Sequence, residues 1–131
     1  MEANHYQREA QRTLSDPAAA RELLARMADE DINLVHMIFG MITEVGEFAD
    51  PFKKFIFYGK SADRTNAIEE LGDLMWYVVN ACTALDTTLE EVMQINIDKL
   101  RKRFPEKFTR DLAINRDLDA ERQVLEDGAA R

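Results

Sequence analysis

Apolar residues in this chain recur at steps of three and four and nowhere alternate singly with polar ones over the length of a strand, so helix is predicted throughout. Leu34, Ile38, Met41, Val45, Phe48 and Phe52 form the seam of a long helix beginning near Ile32. Pro51 interrupts it by removing a backbone hydrogen bond, which predicts a kink, or a break with Asp50 capping a new turn that runs to about Tyr58. Gly59-Lys60-Ser61-Ala62-Asp63 reads as a loop, with glycine ending one helix and Ser61 or Asp63 capping the next. A second long helix follows over about Arg64 to Leu85, with Ile68, Leu71, Met75, Val78, Cys82 and Leu85 as its seam. Thr88-Leu-Glu-Glu91 has capping-box spacing, so a third begins there and runs to about Arg103, where Phe104-Pro105 stops it. Ahead of these lie a short segment around Ala3 to Leu14 and a helix that Asp16-Pro17 starts and that reaches about Ala28. Glu106 to Arg131 is rich in charge, and Leu118 and Leu125 support at most a weakly amphipathic helix that frays at Gly128. With no internal repeat or linker, the expectation is one all-α domain over residues 1–131, a bundle of four to five helices.

Composition narrows the function. The 131 residues are 46% apolar, enough for a real core. With 17 basic against 25 acidic side chains the net charge is −8, which argues against a nucleic-acid polymer as partner but not against a small polyphosphate. Cys82, His5 and His36 are too few for a structural zinc site, a redox pair or a disulfide framework, so any metal must be held by oxygen. The longest apolar runs, Met37 to Ile42 and Leu74 to Val79, fall far short of the roughly 20 residues of a membrane helix, so no membrane is expected. The N-terminus has no apolar signal core, and the expected compartment is the cytoplasm, or a host's cytoplasm if the chain is phage-encoded.

The candidate chemistry lies beside the two oiliest seams. Glu44 and Glu47 are three apart and share a helix face next to Gly40, and Glu70, Asp73, Tyr77 and Asn80 recur at three, four and three along the second long helix. In an antiparallel hairpin, Glu44 opposite Asp73 and Glu47 opposite Glu70 share one midpoint, between Tyr58 and Gly59, a few residues from the loop centre near Ser61. Four carboxylates gathered at one interface repel unless protons or a cation neutralise them, and an all-oxygen ligand set suits Mg²⁺ or Mn²⁺. Either pair alone is more often a solvated helix face, but two pairs in mirror positions around one loop favour a site. On the next helix Asn96, Lys99 and Arg103 share a face in the most basic stretch of the chain, where they suit phosphate or merely complement a helix C-terminus. Trp76 offers a ring to a base, though a core or interface role is the commoner use of such a residue, and Cys82 reads as packing.

Glu44-Val-Gly-Glu47, 22 residues, then Glu70-Leu-Gly-Asp73 has the form ExxE, spacer, ExxD, and resembles the MazG-like all-alpha nucleoside triphosphate pyrophosphohydrolases. Asn96-Ile-Asp-Lys99-Leu-Arg-Lys-Arg103-Phe-Pro105 is similar to that family's closing motif, so the likeness spans about residues 32 to 108 and leaves 109–131 as a C-terminal extension. The resemblance implies hydrolysis of a (d)NTP between its α and β phosphates, giving the monophosphate and pyrophosphate. It implies that Glu44, Glu47, Glu70 and Asp73 hold two or more Mg²⁺ ions, with Mn²⁺ able to substitute, and that one carboxylate activates water. It further implies that Lys99 and Arg103 neutralise the phosphate tail, that Asn96 or Asn80 touches sugar or phosphate, and that the chain works as a homodimer or homotetramer. The segment from Tyr6-Gln7 to Arg12-Thr13 resembles the opening of phage-type members, which inclines the expected substrate to purine deoxynucleotides such as dGTP or dATP. Two other readings compete. A ferritin-like di-iron bundle needs Glu-x-x-His on two helices, and only Glu2-Ala-Asn-His5 matches. A non-enzymatic helical oligomer with a regulatory role would leave the carboxylates on solvated faces.

Overall fold

A computed structural model describes residues 1–130, which form seven helices and no strand among the described residues. They are α1 (Ala3–Gln11), α2 (Pro17–Leu24), α3 (Asp29–Tyr58), α4 (Arg64–Ala84), α5 (Leu89–Arg103), α6 (Arg110–Ile114) and α7 (Leu118–Ala129). The chain is all-α, and its packed part is four helices: α3 runs antiparallel along α4, α5 along α7, and α4 meets α5 over a smaller area. Residues 1–26, which include α1 and α2, are exposed throughout.

Local chemistry accounts for most boundaries. Asp16 caps α2 by accepting from the Ala18 N–H at 2.8 Å, with Pro17 at the first helical position. Gly59 ends α3 in the left-handed region at φ 64°, where its Lys60 neighbour returns an N–H to the Lys54 carbonyl. Asp63 caps α4 through the Asn66 N–H at 3.0 Å. The capping box at α5 is complete: Thr88 Oγ1 accepts from the Glu91 N–H at 3.2 Å and the Glu91 carboxylate accepts from the Thr88 N–H at 2.8 Å.

Two expectations are corrected. The break allowed for at Pro51, with Asp50 capping a new turn, does not occur: α3 continues for 30 residues with Pro51 buried inside it. One missing hydrogen bond is tolerated there because Pro51 itself is buried in a helix that packs along α4. The C-terminal extension is no frayed tail: α7 packs on α5, and Gly128 is the point of close approach, since a Cβ there would lie 2.6 Å from Ile95 Cγ1. By length and composition alone α3 is also apolar enough to cross a membrane, a test that the packed helix of a bundle passes as well. In this fold its polar face, carrying Glu44 and Glu47, is turned to α4.

Candidate active site

The α3–α4 pairing fixes the site. Gly40 permits the closest contact: a Cβ at this position would sit 2.1 Å from Tyr77 Cε1, so the Tyr77 ring lies on bare backbone. That ring is held edge-on by Trp76 at 5.0 Å and by His36 at 6.0 Å between centroids. One turn further along the same seam, single carboxylate oxygens of Glu44, Glu47 and Glu70 all lie within 4.8 Å of one another. The loop's own centre lies at Ser61, yet the carboxylates meet at the common midpoint near Tyr58 without any break at Pro51. The connection between the helices is therefore asymmetric, and the side-chain register follows the Gly40–Tyr77 contact rather than the loop.

The three glutamates differ in setting. Glu70 is 6% exposed, Glu44 is half-buried and Glu47 is exposed. Glu70 is held by Asn66, whose side-chain N–H donates to Glu70 Oε1 at 2.5 Å from one helical turn earlier. Burial raises the Glu44 carboxyl above the ordinary carboxylate value, and the charges of Glu47 and Asp73 and the hydrogen-bonded Glu70 add to that rise. Asp73 thus acts electrostatically on the same cluster from the surface of α4.

Such a donor set suits a hard divalent cation. Mg²⁺–oxygen distances of about 2.1 Å place opposite ligands about 4.2 Å apart. Oxygens within 4.8 Å of one another are near enough to share one ion, the ligands are all carboxylate, and their mutual repulsion is the deficit a cation relieves. His5 lies on exposed α1 and no histidine joins the cluster among the described residues, so the ferritin-like alternative has no second ligand type to draw on.

The other singled-out residues are distributed as follows. Trp76 is 53% exposed and lines a cavity of about 370 Å³ with Asn33, His36, Met37 and Asn80, next to the Tyr77 ring. Asn80 donates its amide N–H to the Trp76 carbonyl at 2.8 Å. Asn96 is exposed and Lys99 half-buried on α5. Arg103 is engaged at the far end of α5 by Glu121 of α7, through Nε at 2.9 Å and Nη2 at 2.5 Å. Sequence reasoning missed Asn66, although its spacing of four from Glu70 was a readable signal. It also missed Glu121, which lies 18 positions from Arg103 and carries no local pattern to betray the pairing.

The MazG nucleotide pyrophosphohydrolase domain model matches residues 33–108. The Gene 37 protein of Mycobacterium phage L5 is 35% identical over 74 residues, a stretch covering 53% of this chain and 65% of that protein. No solved structure matches.

Proposed function

From membership of the MazG nucleotide pyrophosphohydrolase domain family, to which this chain belongs, we propose that it hydrolyses a nucleoside or deoxynucleoside triphosphate between the α and β phosphates, releasing the monophosphate and pyrophosphate. The observation that carries this reading is the convergence of Glu44, Glu47 and Glu70 on one point of the α3–α4 seam, with Asp73 beside them. A buried Glu70 and a half-buried Glu44 set against one another and against Glu47 carry a like-charge repulsion that a bound cation relieves.

In this mechanism Glu44, Glu47, Glu70 and Asp73 would hold Mg²⁺ or Mn²⁺, two or more ions per site. When bound, the ions neutralise the phosphates and make water a nucleophile at neutral pH. One of the four carboxylates takes the proton of the attacking water. Water oxygen bonds to phosphorus as the α–β bridging oxygen leaves with its electron pair on pyrophosphate. Asn66 keeps Glu70 in one rotamer, so the ligand set does not have to be organised anew with each substrate. Lys99 and Arg103 offset the charge of the leaving pyrophosphate, and Asn96 or Asn80 touches sugar or phosphate. The base is placed in the cavity beside Trp76, which lies on the same seam toward the N-terminus of α3. A purine deoxynucleotide such as dGTP or dATP is the proposed substrate, supported by the phage-like opening at Tyr6 to Thr13 and by a half-exposed indole suited to stacking.

The working unit is proposed to be a homodimer or homotetramer. A compact monomer of 15.1 kDa exposes about 7,100 Å². This chain alone exposes 10891 Å², including Phe55, Ile56, Phe57 and Tyr58 in succession around the end of α3. An excess of that size is what obligate interfaces cover, and light scattering on the purified chain should give at least twice 15.1 kDa. The catalytic assignment is tested by Asp73→Ala and Glu47→Ala. Each should abolish pyrophosphate release while helix content is kept, and normal turnover by either variant would remove that residue from the site.

A further inference from the structure

Outside the carboxylate cluster, the most buried charged side chain is Glu121, 4% exposed, on the first turn of α7 and beyond the stretch that the family shares. It is fully used: Arg103 reaches it through Nε at 2.9 Å and Nη2 at 2.5 Å, and Arg116 through Nε at 3.3 Å and Nη2 at 2.7 Å. A carboxylate taking two side-on guanidinium forks has all its acceptor directions satisfied, which is why it can be buried. Arg103 is not used up. Of its five N–H donors two point to Glu121, leaving both on Nη1 and the second on Nη2. Its guanidinium carbon also lies 5.8 Å from the Phe104 ring centroid, so one contact fixes an edge of the plane and another its tilt.

We propose that Glu121 is a positioning residue for nucleotide hydrolysis: the C-terminal helix α7 holds the Arg103 guanidinium so that its remaining Nη1 edge meets the β and γ phosphates of the substrate. This rests on the pyrophosphohydrolase reading, in which Arg103 serves the phosphate tail. An arginine at a helix end, unrestrained, samples many rotamers and loses that freedom on binding; one already pinned at Nε and stacked on Phe104 does not. Arg116 completes the arrangement by supplying the second positive charge that keeps Glu121 ionised and fixed, so that Glu121 does not follow Arg103 toward the ligand. The C-terminal extension is on this account part of the catalytic unit.

The test uses the full chain and the nucleotide that the wild type turns over. Binding of its non-hydrolysable α,β-imido triphosphate and of its monophosphate is measured for wild type, Glu121→Gln and Glu121→Asp. Loss of one well-placed charge-assisted contact is worth about tenfold or more. Glu121→Gln should therefore weaken the triphosphate analogue about tenfold and raise KM with kcat little changed, while leaving monophosphate binding as it was, and Glu121→Asp should recover part of the loss. A merely structural role would weaken both ligands together. If Glu121→Gln fails to fold, the same ligand pair with Glu121→Asp, which keeps the charge and shortens the reach, decides: selective weakening of the triphosphate supports the proposal, and equal or no weakening of the two overturns it. A wild type that binds and cleaves no triphosphate sinks the underlying reading, and the inference with it; an active wild type whose variants do not discriminate the ligands sinks the inference alone.

Discussion

Replacing Gly40 by alanine tests the contact that sets the register of the site. The added Cβ would stand 2.1 Å from Tyr77 Cε1 and 2.4 Å from Cδ1 and Cζ. Carbon atoms rest at about 3.5–4.0 Å, so the ring must retreat by about 1.4 Å or α3 must move off α4. The ring has little room to retreat, being held edge-on by Trp76 and His36. Overpacking of this kind costs about 1–3 kcal/mol, and the contact here is severe enough for the upper end. The gain in helix propensity from glycine to alanine returns about 1 kcal/mol, leaving a net loss of about 2 kcal/mol. For a chain of this length that lowers Tm by about 7 °C, read by calorimetry at fixed protein concentration. Gly46→Ala and Gly72→Ala are the controls, because a Cβ at either meets nothing within 4 Å. Both should raise stability by about 0.5–1 kcal/mol. In a Tyr77→Ala background the Gly40→Ala penalty should vanish, a coupling that a double-mutant cycle reads directly. A Gly40→Ala protein as stable as the wild type, or one whose loss persists without the Tyr77 ring, would refute the packing on which the site's register rests.

Other outcomes follow from the same coordinates. Thr88→Ala removes the cap and half of the capping box at α5 and should cost about 1 kcal/mol in urea unfolding, with the m-value unchanged. The two arginines hold the Glu121 carboxyl at about 2 against an ordinary 4.5, so its stabilising contribution is complete above pH 4.5 and is lost as pH falls from there toward about 2. Glu121→Gln should flatten stability against pH in that window, and an unchanged acid limb would contradict the ion triad. Glu44 has the opposite sign: its carboxyl is raised by burial and like charges, so its contribution is present at low pH and is lost as pH rises through its folded value. Glu44→Gln should therefore raise the metal-free Tm at pH 7 and shrink the Tm increase that Mg²⁺ or Mn²⁺ produces in the wild type, measured by titrating each ion into both proteins.

Much of this was legible in the residues, and the illegible part has physical reasons. The helices of the central hairpin follow from the three-and-four spacing of Leu34 to Phe52 and Ile68 to Leu85, and their ends from Gly59, Asp63 and the Thr88–Glu91 pair, all local signals. The meeting of Glu44, Glu47 and Glu70 was readable because two long helices joined by five residues have little choice but to lie antiparallel. The break entertained at Pro51 does not occur because the cost of a lost hydrogen bond is local, whereas the packing that outweighs it is not. The C-terminal segment was undervalued for the same reason. Its charge looks like solvation until Glu121 is seen between Arg103 and Arg116, and Gly128 looks like fraying until Ile95 is seen against it.

The central claim is most directly tested by identifying the products. Purified protein with Mg²⁺ or Mn²⁺ is given a panel of canonical NTPs and dNTPs, and monophosphate plus pyrophosphate is separated from diphosphate plus phosphate. The account predicts monophosphate plus pyrophosphate, from purine deoxynucleotides first, with turnover abolished by chelation and by Asp73→Ala. Diphosphate and orthophosphate as the products, or no turnover of any nucleotide with either ion, would contradict it.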